Sequence, residues 1–230
     1  MDRARHTGEA VLRVYGWSRP TLSFGRNESV RGRFSAETLD RAGVAAVRRP
    51  TGGRVLLHDR EVTYSVTAPS LDDEPVATTY QRINAMLLDA LARLGIAATM
   101  ASPTPLRTPG GATCFAEPSA GELVVGGRKL VGSAQVRERG ALLQHGSILV
   151  GDDQARIAEL AVGPMTPSLP AATLTGILGR APTYEEVLDA LAAALGGRSP
   201  GVVTLEPLEA ARYAEPHRAR FASAEWTWRR

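Results

Sequence analysis

The stretch Glu122-Leu123-Val124-Val125-Gly126-Gly127-Arg128-Lys129-Leu130-Val131-Gly132-Ser133-Ala134-Gln135 decides the fold. Two apolar, β-rich runs flank Gly126-Gly127. A glycine pair in that setting is a strong hairpin signal, because the favoured two-residue turn needs positive φ at its centre. Lys129 therefore begins a strand, and Gly132-Ser133-Ala134-Gln135-Val136 continue it with small residues that leave room for a ligand or a second backbone. Lys129 is also the only lysine among 230 residues, and Cys114, just upstream, is the only cysteine. Arginine supplies every other strong positive charge, yet arginine cannot release a proton near neutral pH and a desolvated lysine can. A thiol is a ready nucleophile once a nearby cation stabilises its thiolate. From composition alone Cys114 reads equally as a small buried hydrophobe, and Lys129 as an ordinary turn residue.

Downstream, Arg139-Gly140 turns the chain into a strand over 141–150 that is polar in its middle. Gln144, His145 and Ser147 there either face a polar pocket or hydrogen-bond structurally. The last third reads as helices over 152–161, 171–178 and 183–195, the last opened by a Thr183/Glu186 capping box. An edge strand over 202–205, a helix over 208–221 and a docked tail Trp226-Thr227-Trp228 complete it. Upstream, a Pro/Gly-rich loop over 102–111 ends at Cys114 and either closes over a substrate or simply connects elements. Before it come a helix capped by Thr78 and Gln81 and stopped by Gly95, and then a strand over 96–100.

The loop Arg48-Arg49-Pro50-Thr51-Gly52-Gly53-Arg54 lies between strands, and its glycines permit close approach of a ligand. It lacks the Walker spacing, so it is a poor nucleotide-phosphate cradle, and a tight turn with solvated arginines is the plain alternative. Strands over 55–59 and 61–67 follow, expected to pair around Asp59-Arg60. His58 beside Asp59 is a ligand, a base or a hydrogen-bonded strand-end histidine. At the start, strands over 10–15 and 21–25 suggest a hairpin-like pair. Ser35 caps a short helix stopped by Gly43, and 44–47 is a strand.

Hydrophobic residues make up 43% of the chain and charged residues 22%, which argues against disorder, collagen and coiled coil. A net charge of +3 with dispersed arginines gives no case for nucleic acid and fits a surface that meets an acidic protein. No apolar run is long enough to span a membrane and the N-terminus lacks a signal-peptide core, so the expected location is the cytoplasm. A single cysteine agrees with a reducing compartment. With no internal repeat, no marked linker and no metal-ligand spacing, the expectation is one domain over 1–230.

RRPTGGRVLLHD (Arg48 to Asp59), ELVVGGRKLVGSAQ (Glu122 to Gln135) and LLQHGSILV (Leu142 to Val150) together resemble the biotin/lipoate ligase superfamily, and most of all the bacterial protein octanoyltransferases. The resemblance implies an α+β fold, a central mixed, mostly antiparallel sheet flanked by helices. It also implies transfer of an octanoyl group from octanoyl-acyl carrier protein to a lysine of a lipoyl domain or glycine cleavage H protein, with neither cofactor nor metal. Cys114, in Cys-Phe-x-x-Pro-Ser, falls at the family's nucleophile, and Lys129 at the family's lysine. In this reading the charged lysine favours the thiolate, and the neutral lysine accepts the proton of the incoming amine. Substrate-binding positions would be Arg48, Arg49, Thr51, Gly52, Gly53, Arg54 and His58 in the first motif. Gly132, Ser133, Ala134 and Gln135 would serve in the second, with backbone N–H groups around Gly132 to Ala134 holding an oxyanion. His145 and Gly146 would serve in the third. Relatives begin with a further strand and helix, so an N-terminal strand and part of the first helix are expected to be missing. Arg54 replaces the third glycine of the ligases' loop, which points away from an ATP-dependent lipoate-protein ligase. An octanoyl amidotransferase acting between lipoyl proteins, and a non-catalytic acyl- or biotin-binding module, are the remaining alternatives.

Overall fold

The computed structural model describes residues 1–70, 74–102, 113–115, 118–197 and 201–230. In chain order the strands are β1 (Val11–Tyr15), β2 (Thr21–Phe24), β3 (Ala45–Arg48), β4 (Leu56–His58), β5 (Glu61–Pro69), β6 (Thr99–Met100), β7 (Leu123–Val125), β8 (Arg128–Glu138) and β9 (Ala141–Leu149). The helices are α1 (Asp2–Thr7), α2 (Ala36–Arg41), α3 (Val76–Arg93), α4 (Arg156–Glu159), α5 (Leu174–Leu178), α6 (Tyr184–Ala193), α7 (Pro207–Phe221) and α8 (Ala224–Thr227). Six strands in the order β1-β5-β9-β8-β7-β6 form an antiparallel sheet. In a second sheet, β2 lies between β3, which is parallel to it, and β4, which is antiparallel.

The central hairpin forms as its glycines require: Gly126 and Gly127 take φ of 57° and 73° between β7 and β8. One face of the large sheet is covered by Ile83, Leu87 and Leu91 of α3 and Val187 and Leu191 of α6, packed on Tyr64, Leu130, Val131, Leu142 and Ile148. The helical spacing of those residues places them on single faces, and their burial drives the docking. The Thr183/Glu186 capping box is present at α6, and Ser35 caps α2. The small sheet has its own core, in which Leu22, Phe24, Val55 and Leu57 meet Leu39 and Ile157. The aromatic tail docks there. The Trp226 indole donates to the Arg48 carbonyl at 2.8 Å, and Trp228 packs on Phe24 with ring centroids 5.4 Å apart.

Several expected elements form differently. β1 and β2 are not a hairpin: residues 16–20 carry the chain from the large sheet to the small one. Asp59-Arg60 likewise turns a corner between sheets, because β4 pairs with β2 while β5 spends its two edges on β1 and β9. The Arg60 backbone at that corner is satisfied by Asp153 and by the amides of Val150 and Gly151. α3 starts at Val76 after Pro75 with no side-chain cap, so Thr78 lies inside the first turn. The helix expected over 152–161 shrinks to α4 because the preceding side chains are committed to backbone. Asp152 accepts from Gln154 N and Ala171 N, and Gln154 bonds both the N–H and the carbonyl of Leu57, completing the outer edge of β4. Residues 202–205 form no strand, and the strand over 96–100 is reduced to β6. The Pro/Gly-rich loop lies, from residue 103 to 112, outside the described residues. Among the described residues no helix is long and apolar enough to cross a membrane.

Candidate active site

A cavity of about 460 Å³ opens where the two sheets meet, inside the range of roughly 300–1,000 Å³ usual for small-molecule sites. Its walls come from the end of β1 (Tyr15, Trp17), the Arg49–Arg54 loop, β4, Tyr80 of α3, the segment around Cys114, and facing stretches of β8 and β9.

At one end the Cys114 N–H donates to the Val55 carbonyl at 2.8 Å, tying the segment to the small sheet. Cys114 packs with Leu56, Phe115, Leu149 and Ala171. The β7–β8 hairpin brings Lys129 against it: Nζ lies 3.5 Å from Cys114 Sγ, 2.7 Å from the Cys114 carbonyl oxygen and 2.6 Å from Glu122 Oε1. Lys129 is only 2% exposed, and Nζ sits 4.7 Å over the Phe115 ring. Three acceptors for three N–H donors is the complement of an ammonium ion, and Glu122 supplies the countercharge that a buried cation needs. The second Glu122 oxygen accepts from Ser119 N at 2.6 Å. Gly132 makes the packing possible: a Cβ there would lie 2.8 Å from Lys129 Cε and 3.1 Å from Phe115 Cζ.

At the other end His58 Nδ1 lies 2.7 Å from Glu61 Oε1, and the same oxygen accepts from Thr63 and Ser147. Trp17 stacks on the His58 ring, with centroids 4.1 Å apart and planes 15° from parallel, and donates its indole N–H to Thr63 Oγ1. Between the ends, Arg49 is buried and donates to the carbonyls of Gly52, Ser23 and Arg54. Burial, the largest cause, lowers its pKa, while Cys114 and Glu28 act in the opposite sense. His145 Nε2 lies 2.6 Å from Thr51 Oγ1. Burial, then Arg49 and His58, push the His145 pKa down to about 3, so it is neutral at physiological pH.

Of the positions singled out from sequence, Cys114, Lys129, Arg49, Gly52, Gly53, Arg54, His58, Gly132, Ser133, Ala134, Gln135, His145 and Gly146 all line this one cavity. Thr51 stands behind His145. Arg48 does not belong: it is 1% exposed and spends its guanidinium on the carbonyls of Thr227, Gly25 and Glu28, so it anchors the tail rather than an entrance. The polar residues of β9 divide between the two roles left open. Gln144 hydrogen-bonds Tyr64 and Asn84 in the core, while His145 and Ser147 face the cavity. At Gly53, with φ 97°, an added Cβ would lie 2.7 Å from Arg49 Nη2, so this glycine is required by Arg49 packing as much as by a ligand. Sequence reasoning assigned no role to Glu122, Glu61 or Trp17. The signal for Glu122 was its place across the hairpin from the solitary lysine. Among the described residues no group of three or more His, Cys, Asp or Glu could hold a metal ion.

Residues 1–196 match the lipoyl protein ligase A/B catalytic domain. Octanoyltransferase LipM of Kyrpidia tusciae is 40% identical over 242 residues, covering 96% of this chain and 87% of the relative. Octanoyltransferase LipM of Symbiobacterium thermophilum is 39% identical over 255 residues, covering 100% of this chain and 90% of the relative. The fold is similar to that of a bi-partite lipoate protein ligase from Thermoplasma acidophilum, with a TM-score of 0.70 at 19% identity over 96% of this chain and 85% of that one. The domain match and these nearly end-to-end relatives settle the kinship: the chain belongs to the lipoyl protein ligase A/B catalytic domain family, alongside the LipM octanoyltransferases.

Proposed function

We propose that this chain is an octanoyltransferase of protein lipoylation, a single cytoplasmic catalytic domain that takes octanoyl from octanoyl-acyl carrier protein. It passes the group to a lysine of a lipoyl domain or of glycine cleavage H protein. The observation that carries this reading is the solitary lysine ammonium 3.5 Å from the solitary thiol, on the wall of a cavity with room for an acyl chain. Lys129 and, farther off, Arg49 favour the thiolate of Cys114, which attacks the thioester carbonyl. The carrier thiol leaves and an octanoyl thioester remains on Cys114. β7 pairs with β8 only as far as Val131, so among the described residues one edge of β8 has no strand partner from Gly132 onward. In this reading N–H groups on that edge receive the oxyanion. Seven acyl carbons beyond the carbonyl, at about 0.8 kcal/mol per buried CH₂, contribute on the order of 5 kcal/mol to positioning the thioester. The acceptor amine then attacks the acyl-enzyme.

The test is turnover with octanoyl-carrier protein and a lipoyl domain, ATP omitted. Octanoylated lipoyl domain is the expected product. A requirement for ATP and free octanoate would overturn the reading in favour of a ligase. Turnover only with an octanoylated H protein as donor would make the enzyme an amidotransferase.

A further inference from the structure

We propose that His58, oriented by Glu61 and clamped by Trp17, is the base that takes the proton of the acceptor amine in the transfer step. The inference rests on the octanoyl-transfer reading and assigns the proton that Lys129 is badly placed to accept. All three Lys129 donors already have acceptors, and deprotonation would leave the Glu122 carboxylate buried without its cation. His145 is no substitute, since its Nε2 is taken by Thr51 Oγ1.

His58 has the opposite arrangement. A carboxylate can only accept, so the 2.7 Å contact with Glu61 Oε1 fixes the ring proton on Nδ1 and leaves the lone pair on Nε2. Ser147 and Thr63 hold the same carboxylate oxygen in place, and the Trp17 stack fixes the plane of the imidazole. The Glu61 carboxylate at 2.7 Å is the countercharge available to an imidazolium at His58. Position agrees as well. Leu56 packs on Cys114, and His58, two residues farther along β4, lies on the same face of that strand. Both Cys114 and His58 line the same cavity.

In the step itself the neutral amine attacks the carbonyl carbon of octanoyl-Cys114, and the N–C bond forms as one N–H proton passes to His58 Nε2. The C–S bond breaks, and its electron pair leaves on Sγ beside the Lys129 ammonium. The imidazolium then returns its proton to the thiolate or to water, restoring the enzyme.

The experiment separates the two half-reactions. Wild-type and His58→Gln proteins are acylated with octanoyl-carrier protein, then mixed rapidly with a lipoyl domain. Acylation is expected to stay within about threefold of wild type, which also shows that the variant is folded. Transfer is expected to fall by about 10²–10³-fold. In His58→Ala, free imidazole, which fits the space vacated against Trp17, should restore transfer at least about tenfold. Normal transfer in His58→Gln, or equal losses in both steps with no imidazole rescue, would overturn the proposal. Should neither His58 variant acylate, Glu61→Gln removes the negative charge while leaving an amide oxygen able to accept from His58 Nδ1. A selective loss of transfer there supports the base, and unchanged transfer sinks it. Failure of the wild type to form any acyl-enzyme would count against the octanoyl-transfer reading instead.

Discussion

The two ends of the cavity are built as inversions of each other. At the Cys114 end one cation, Lys129 Nζ, is surrounded by three acceptors, one of them the sulfur. At the His58 end one carboxylate oxygen, Glu61 Oε1, receives three donors while its second oxygen has none. In the proposed mechanism the first arrangement fixes positive charge where the sulfur gains an electron pair. In the same mechanism the second holds negative charge where the attacking nitrogen would shed its proton. Both use a buried acid beside a basic side chain. What differs is which partner is over-coordinated, the base at the first end and the acid at the second.

The largest effect should come from breaking the first arrangement. Lys129→Met leaves Glu122 buried and unpaired, at a cost of about 3–5 kcal/mol seen in denaturant unfolding. Acylation of Cys114 should slow by about 10²-fold. The double variant Lys129→Met/Glu122→Leu should recover most of the stability and none of the acylation rate. Recovery of both would mean that the pair is structural only.

A second contrast is between the two histidines. The His145 pKa is pushed down to about 3, against an ordinary value of 6.5. Between those values the unfolded chain binds a proton at His145 that the folded one refuses. Its stabilising contribution is therefore complete above about pH 6.5 and is lost as pH falls toward 3, by up to about 1.4 kcal/mol per pH unit. Denaturant midpoints from pH 7 to 5 should show that slope, and His145→Gln should flatten it. An unchanged slope in the variant would place the proton elsewhere.

The smallest effect separates adjoining arginines of one motif. Arg54 borders the cavity and Arg48 is bonded into the interior. Arg54→Ala should reduce the second-order rate with carrier protein a few-fold at low ionic strength and hardly at all at high salt, as expected for steering of an acidic partner. Arg48→Ala should lower stability at every salt concentration. A salt-dependent rate defect in Arg48→Ala would contradict its assignment as the tail anchor.

Features carried by local chemistry were legible in the sequence: the Gly126-Gly127 hairpin, the Thr183 capping box and the docked aromatic tail; that Cys114 and Lys129 belong together was implied by the family resemblance. Those set by long-range pairing were not. Residues 10–25 and 55–67 each read as two neighbouring strands, and nothing local says that neighbours in the chain join different sheets. Arg48 and Arg49 are the same residue side by side, and only their surroundings in the fold send one to the tail and the other to the cavity. Glu122 stayed without a role because its meaning depends on Lys129 across the hairpin, and Glu61 because the corner at Asp59-Arg60 that folds it back onto His58 is set by the two sheets.

The central claim is that octanoyl passes through Cys114. The direct measurement is the mass of the intact protein after incubation with octanoyl-carrier protein and no acceptor, followed by peptide mapping. The account predicts one added octanoyl group, on Cys114, released by hydroxylamine and absent from Cys114→Ala, which should also be inactive. Turnover with no adduct, an adduct on another residue, or an active Cys114→Ala variant would contradict it.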